Sequence, residues 1–450
     1  MPTYLSTRRS STVYDSTVPT LRPFRDATGV VVVAVLLAYL LPTQLVFLPL
    51  SSLGRPGLVV GLGLLIWWLV TRLHPELATH GRQPMRWALL GYIAALGASY
   101  LAGQLRGLPA LEQNGADRAI LATLAGGGIM LAVADGVLNR ERIERILRWL
   151  CWASSGMALV ALGQFALRVD LTVYMRLPPL LVFQRDPVGF DARGGGGLVR
   201  VAGTAGHYIE FSVLMVIGLL IAIHLARFAP TRRSRQLFGA LAMVQAAVIP
   251  ISLSRTGVLA LAAAILLLLV AWPLRTSFNV LALGLVLAVV IQVVRPGLLA
   301  TLRALVLVGN RDPSVQGRLE DYDYVRPYFE GRPWFGRGVG TWLIERYQLL
   351  DNQWLLSLVT TGIVGTAALA LLLLTGIFVA VRVRLYSSDA ADRDLAVTLA
   401  VAIAVAGVTA ATFDALHFST YRVALFLLLG LVGALWRITR AARINESGQT

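Results

Sequence analysis

Four short polar segments interrupt this apolar chain, and each carries residue types that bind anions or transfer protons. They contain Arg200, Ser254-Arg255, Arg318 and Asp351-Asn352. Arginine can hold a phosphate or carboxylate through a planar, bidentate set of N–H donors. A carboxylate or histidine can remove the proton from a hydroxyl group. The residue types therefore predict a site that binds an anionic group beside an acid–base residue.

The first segment runs from Arg200 through His207 to Glu210 and follows four glycines at 194–197. Glycine lets backbone approach a ligand and histidine titrates near neutral pH, yet a glycine-rich stretch is more often an ordinary loop. Glu210 is the stronger signal, because it heads an apolar run and a carboxylate inside a membrane is costly unless it is paired. We take His207 and Glu210 as catalytic candidates and expect an arginine partner for Glu210.

The next two segments allow a structural interpretation beside the functional one. Arg255 lies between two apolar runs and either extends to the membrane surface or faces a polar cavity. Arg318 and Tyr322 are one turn apart in a short polar helix, which is expected over 316–326 and should end at Pro327. One face of this helix can therefore line a cleft while its acidic residues face water.

Asp351 and Asn352 stand where a polar stretch meets an apolar run. Asp351 is our candidate for the base or for the residue that orients it, and the cap of a transmembrane helix explains the same residue equally well. Arg337, in a turn-rich segment, and His417, between two later apolar runs, are supporting candidates together with Asn352. His417 is also an alternative base.

The elements that position these segments are long and apolar. Hydrophobic residues make up 56% of the 450 residues, charged residues only 14%, and the mean hydropathy is +0.70, which excludes an ordinary soluble globular domain. Apolar runs of about 20 residues match the thickness of a bilayer. The sequence predicts an all-α integral membrane protein with about twelve transmembrane helices and two long loops that carry short helices. The helices are expected near 29–50, 57–71, 87–105, 119–137, 147–167, 208–226, 237–252, 256–274, 277–294, 354–381, 394–413 and 420–436.

All positive charge comes from arginine, since the chain has no lysine, and the net charge is +16. Arginines cluster in alternate short connections, so the positive-inside rule places both termini in the cytoplasm. Two long outward loops, 168–206 and 296–353, hold further arginines that this rule does not explain, although codon bias would also raise the arginine content. We therefore expect the site on the extracytoplasmic face of the cytoplasmic (inner) membrane.

The domain organisation is predicted to be simple. Residues 1–28, rich in Ser, Thr, Arg and Pro, are expected to form a disordered cytoplasmic tail. Residues 29–440 are expected to form one polytopic membrane domain, followed by a second cytoplasmic tail at 441–450. The single cysteine, Cys151, excludes an intramolecular disulfide and a cysteine metal site. We expect a lipid bilayer as the environment and no nucleic-acid partner.

The polar segments, taken in order, resemble the O-antigen ligase and O-antigen polymerase superfamily of bacterial membrane glycosyltransferases. The resemblance covers about residues 200–366. It consists of Arg-x-x-Gly-Thr-x-x-His at Arg200–His207, Ser-Arg-x-Gly at Ser254–Gly257, Arg318 in a polar helix, Pro-Trp-Phe-Gly-x-Gly at Pro333–Gly338, and Asn-x9-Gly-x-x-Gly at Asn352–Gly365.

The resemblance implies a GT-C-like enzyme that takes a polyprenyl-diphosphate-linked glycan as donor and a glycan or glycolipid as acceptor, without a metal or cofactor. The positions of Arg200, Arg255 and Arg318 would bind the diphosphate, which is the leaving group. In the ligase branch the residue before the asparagine is a histidine, whereas this chain has Asp351. This departure weakens the case for a lipid A core ligase and leaves ligase and polymerase open.

Three other classes of membrane protein remain open. A transporter or flippase for lipid-linked oligosaccharide or polysaccharide would also need a basic outward cavity, and paired halves or interrupted helices are expected of it. A peptidoglycan-type polymerase would consume muropeptide precursors. A structural scaffold is the least favoured, because it would not need charged residues at several helix ends.

Overall fold

A computed structural model describes residues 26–47, 50, 54–74, 81–175, 181–183, 191–193, 198–294 and 313–447 of the chain. Residues 1–25 of the predicted cytoplasmic tail, the glycines at 194–197, the start of the second long loop at 295–312 and the terminal residues 448–450 lie outside this part. The described residues are mostly helical.

Thirteen α-helices run through the described residues. Their bounds are α1 Thr28–Leu40, α2 Pro56–Leu73, α3 Pro84–Arg106, α4 Ala110–Gly136, α5 Arg140–Leu167, α6 Tyr208–Phe228, α7 Arg232–Ile251, α8 Arg255–Ala271, α9 Leu274–Val294, α10 Pro313–Glu330, α11 Gln353–Tyr386, α12 Ala390–Thr409 and α13 Ser419–Ser447. Short 3-10 helices span Leu171–Tyr174 and Ala415–His417. The strands pair as two antiparallel ribbons, β1 Leu45–Phe47 with β2 Leu181–Phe183, and β3 Asp191–Arg193 with β4 Leu198–Arg200.

Each of the twelve predicted apolar runs contains a helix, and α10 is the predicted polar one. Eight helices of the described chain are long and apolar enough to cross a membrane: α2 to α7, α11 and α13. α1, α8 and part of α9 are apolar but shorter, and α12 does not meet the same criteria. The multi-pass helical fold is therefore confirmed, while the total of twelve spans stays a prediction.

The centre of the bundle is formed by α4, α6 and α13, because most residues of their apolar stretches are buried inside the protein. The most extensive packing joins α2 to α4, α6 to α7, α4 to α13, and α11 to both α3 and α12. Small residues allow this approach: a Cβ on Gly128 of α4 would lie 2.2 Å from the carbonyl oxygen of Gly61 on α2.

Helix α11 is interrupted at Gly362, whose φ of 67° and ψ of −169° are not helical. The segment 333–338 docks at this break and supplies the hydrogen bonds that the helix has lost. Only glycine adopts this φ without strain, and a Cβ here would lie 2.3 Å from the carbonyl oxygen of Trp334. The four N–H to C=O bonds are Ile363 to Pro333 (2.8 Å), Val364 to Trp334 (3.1 Å), Arg337 to Val359 (3.0 Å) and Gly338 to Thr360 (2.9 Å).

Several predicted helix bounds were wrong. Helix α4 begins at Ala110 rather than near 119, and α13 continues to Ser447 rather than ending near 436. The polar helix α10 continues through Pro327 to Glu330 instead of ending at the proline. Pro327 has no backbone N–H to donate, but its carbonyl oxygen still accepts the N–H of Gly331 at 3.2 Å. The first apolar helix ends at Leu40 rather than near residue 50, and β1 follows it.

Candidate functional site

Several connections that carry predicted site residues meet at one end of the bundle, which we call the site end. Ser212, in the first turns of α6, donates from its hydroxyl to Ser254, which precedes α8 (3.1 Å). The hydroxyls of Thr256 on α8 and Thr412 after α12 are 2.9 Å apart. The starts of α6 and α8 and the end of α12 therefore lie side by side.

Arg200 ends strand β4 and is 9% exposed. Its guanidinium donates to the hydroxyl of Tyr208, the first residue of α6, and lies 4.3 Å from the centroid of that ring. His207 caps α6, since its Nδ1 accepts the N–H of Ile209 at 3.3 Å. Arg200 and His207 thus sit together at the start of α6, with one nitrogen of His207 engaged as a helix cap.

Glu210 is fully buried in the first turn of α6. Its two carboxylate oxygens accept backbone N–H groups from different elements, Gly206 before α6 at 2.9 Å and Tyr421 on α13 at 3.0 Å. Arg55, at the start of α2, and Arg422, on α13, are close enough to interact with it electrostatically. Arginines therefore lie near Glu210, but its hydrogen bonds given above are to backbone N–H groups, and a direct arginine partner stays a prediction. In this position Glu210 joins α6 to α13.

Arg255 is the first residue of α8 and is half-buried. The preceding Ser254 caps the helix, accepting the N–H of Gly257 at 3.3 Å. Gly257 is needed for close packing, because a Cβ there would lie 2.7 Å from the Cβ of Ser212 on α6. Helix α8 therefore begins directly against α6, about one turn from Tyr208 and the Arg200 that rests on it.

Asn352 caps α11 by accepting the N–H groups of Trp354 (3.0 Å) and Leu355 (3.1 Å). Its side-chain amide donates to the hydroxyl of Tyr322 on α10 at 3.3 Å. The polar helix α10 is thereby held against the start of α11. Arg318 lies four residues before Tyr322 on α10, but its side chain is outside the described part of the structure.

Asp414, in the connection between α12 and α13, was missed by the sequence analysis. Burial raises the pKa of Asp414 to about 7, and the carboxylates of Asp351 and Glu210 act in the same direction. These three acids form what we call the carboxylate group. Gln353 brings the segments of Asp351 and Asp414 together, since its N–H donates to the carbonyl oxygens of Ala410 (2.8 Å) and Phe413 (3.0 Å). The only sequence signal was an acid between two apolar runs.

His417 is exposed in the 3-10 helix after Asp414. Its ring lies 5.9 Å from that of Phe418, and its carbonyl oxygen accepts from Arg422 at 3.4 Å. Within the described residues no group of three His, Cys, Asp or Glu side chains is placed to hold a metal ion.

Arg337 belongs to a separate cluster at the site end, which we call the arginine node. It comprises three arginines around the buried carboxylate of Glu112 at the start of α4. Arg106, at the end of α3, is the closest. Arg337 and Arg346 lie 3.9 and 3.7 Å from the Oε1 of Glu112. Tyr347 donates to the same oxygen at 3.0 Å and accepts from Arg337.

Comparison with known proteins identifies the family that part of the chain resembles. Residues 238–370 match the family model described as O-antigen ligase. This confirms the resemblance to the O-antigen ligase and polymerase superfamily over a segment that contains Arg255, Arg318 and Asp351. Arg200 and Asp414 lie outside the matched segment. No curated protein matches the chain.

Proposed function

We propose that this chain is a membrane glycosyltransferase of the O-antigen ligase and polymerase type. It would transfer or polymerise a glycan from a polyprenyl-diphosphate-linked donor onto an acceptor hydroxyl, on the extracytoplasmic face of the cytoplasmic membrane and without a metal. The main support is the meeting of Arg200, Arg255 and the carboxylate group at one end of an apolar bundle whose central segment matches this family.

The arginines would hold the diphosphate of the donor. Arg255 begins α8, and Arg200, at the end of β4, contacts Tyr208 at the neighbouring start of α6. Arg318 lies on the helix whose Tyr322 binds Asn352. Charge-assisted contacts to guanidinium are stronger than neutral hydrogen bonds, more so where water is partly excluded. Negative charge grows on the diphosphate as it leaves, so these contacts would strengthen in the transition state.

The carboxylate group would supply the base. Two acids that lie close together do not ionise equally easily, and a carboxyl with a pKa of about 7 can take a proton at neutral pH. We assign this role to Asp414 with Asp351 as its partner. The acceptor oxygen gives its proton to the carboxylate and forms a bond to the anomeric carbon. The bond from that carbon to the diphosphate breaks, and a direct displacement inverts the configuration.

Glu210 and His207 would then act by positioning. Glu210 holds the turn before α6 and the start of α13 through backbone N–H groups, and His207 caps α6 beside Arg200. Both side chains therefore fix the elements that carry the binding residues, and Glu210 also adds negative charge near Asp414.

A transporter deserves comparison because α11 is interrupted, as helices in transporters often are. In those proteins the broken helix ends line a substrate cavity. Here the backbone of 333–338 fills the break at Gly362 with four hydrogen bonds, so the helix ends are engaged by the protein itself. Binding of lipid-linked glycan without turnover would nevertheless favour the transporter.

The test is transfer by the purified full chain in nanodiscs, with a polyprenyl-diphosphate-linked oligosaccharide as donor and mass spectrometry of the products. Arg255→Ala and Arg200→Ala should each reduce transfer at least tenfold, because each removes a contact worth roughly 1.5–3 kcal/mol. The matched control is Arg232→Ala, an exposed arginine at the start of α7, which should transfer normally. Wild-type rates in both site variants would refute the proposal.

A further inference from the structure

The arginine node carries more positive charge than its own acid can compensate. Glu112 is 1% exposed and is the carboxylate paired with Arg106, Arg337 and Arg346 in the described structure. Glu345, next to Arg346 in the chain, forms no ion pair with them there. Three like charges around one carboxylate repel one another. The cluster therefore has two charges in excess, which an added anion would compensate.

Aromatic rings hold the node in a fixed arrangement. The guanidinium of Arg337 lies 5.0 Å from the ring centroid of Tyr328 and 4.8 Å from that of Tyr347. Trp342 stacks on Tyr347 with 4.6 Å between centroids. Cation–π contacts of this kind orient a guanidinium without neutralising it. The positive charge of Arg337 is therefore held in a fixed position and remains available to bind a ligand.

The node also lies along the helix that reaches the carboxylate group. Tyr328 and Tyr322 are both on α10, and six residues of helix span about 9 Å. Tyr322 binds Asn352 at the start of α11. Arg346, the outermost arginine, has 43% of its side chain exposed, so solvent reaches the node. A chain molecule bound at Asp351 could extend along α10 to Arg346.

We propose that the arginine node is a second binding subsite that takes an acidic group of the glycan, a carboxylate or phosphate on a sugar. This rests on the proposed function and deepens it, because it names an acidic glycan as the substrate class. Arginine can bind either group through two parallel hydrogen bonds. The tyrosine rings and hydroxyls beside these arginines form a surface that is partly apolar and partly polar, which complements a sugar.

The experiment measures binding to the full chain in nanodiscs of zwitterionic lipid. The probes are a fluorescent tetrasaccharide that contains uronic acids and a neutral tetrasaccharide of the same length. The acidic probe should bind at least tenfold more tightly than the neutral one. Arg346→Ala should remove this preference and Arg346→Lys should keep part of it, while Arg332→Ala, at an exposed arginine of the same loop, should keep all of it.

Equal binding of the two probes, or an unchanged preference in Arg346→Ala, would overturn the proposal. Loss of the preference when phosphatidylglycerol is added to the nanodiscs would assign the node to a lipid headgroup and would also overturn it. The outcome is separable from that of the proposed function. Arg255→Ala should leave the preference intact, and a preference in a protein that transfers no glycan would refute the function but not the subsite.

Discussion

Charged side chains have different partners at the two ends of the bundle. At the end opposite the site, Asp135 on α4 binds Arg72, Arg86 and the indole of Trp68. Asp394 on α12 is bound in the same manner by His224 at 2.7 Å, by Arg227 and by the indole of Trp272 at 3.1 Å. Each of these acids is buried and satisfied by side chains from neighbouring helices.

At the site end the acids and arginines are sorted differently. Glu210 is satisfied by backbone N–H groups, Asp414 lies among other carboxylates, and three arginines share Glu112. Like charges that lie together cost energy in the unliganded protein. We propose from this comparison that the ion pairs at one end hold helices together, whereas the other end receives charged ligands and protons.

The largest expected effect is at Asp414. Asp414→Asn removes the proposed base while keeping the shape of the side chain, so kcat should fall by about 100- to 10,000-fold. The measurement is glycan transfer in nanodiscs at saturating donor. Asp323→Asn, at an exposed acid on α10, is the matched control and should have normal kcat. A fully active Asp414→Asn would show that the raised pKa serves no proton transfer and would leave Asp351 as the base.

The opposite end should respond in stability rather than in chemistry. Asp394→Asn leaves His224 and Arg227 beside a neutral side chain, and breaking a buried pair in this way costs about 3–5 kcal/mol. We expect a clearly lower apparent Tm in nanodiscs and an unchanged transfer rate per folded molecule. Asp389 is exposed and caps α12, and Asp389→Asn should lower the Tm much less. A large loss of turnover in folded Asp394→Asn would contradict the proposal that this end contributes to stability and the site end to catalysis.

The sequence predicted the helices well because each apolar run is a local signal. Twelve runs contain twelve helices, and Asn352 and Ser254 lie at helix starts where polar residues meet apolar ones. His207 and Glu210 are close in sequence and lie at the cap and in the first turn of α6, and Arg200 contacts Tyr208 at the same helix start. Their association with Arg255 was inferred from family resemblance and is supported by contacts between Ser212 and Ser254.

The features that the sequence did not predict depend on distant contacts. Asp414 becomes important because Gln353 joins α11 to the end of α12, across about 60 residues of chain. In the sequence, Gly362 resembles an ordinary glycine at a helix contact. The interruption of α11 at Gly362 can be recognised only when the segment 333–338, which fills it, is seen beside the helix. Glu112 lies in the first turn of α4 between Leu111 and Gln113, and its three arginines come from α3 and from the second long loop. The spacing of apolar residues along the chain does not indicate which distant side chains will contact one another.

The smallest expected effect is a shift in pH dependence. A base with a folded-state pKa of about 7 is active when deprotonated, so the transfer rate should fall as the pH drops below 7 and level off above it. Because the charge of Asp351 raises this pKa, Asp351→Asn should move the midpoint to lower pH in whatever activity remains. A pH series with constant amounts of folded protein measures both. An unmoved midpoint would mean that Asp351 and Asp414 do not interact, and the contrast between grouped carboxylates at the site end and separate, paired acids at the opposite end would then fail.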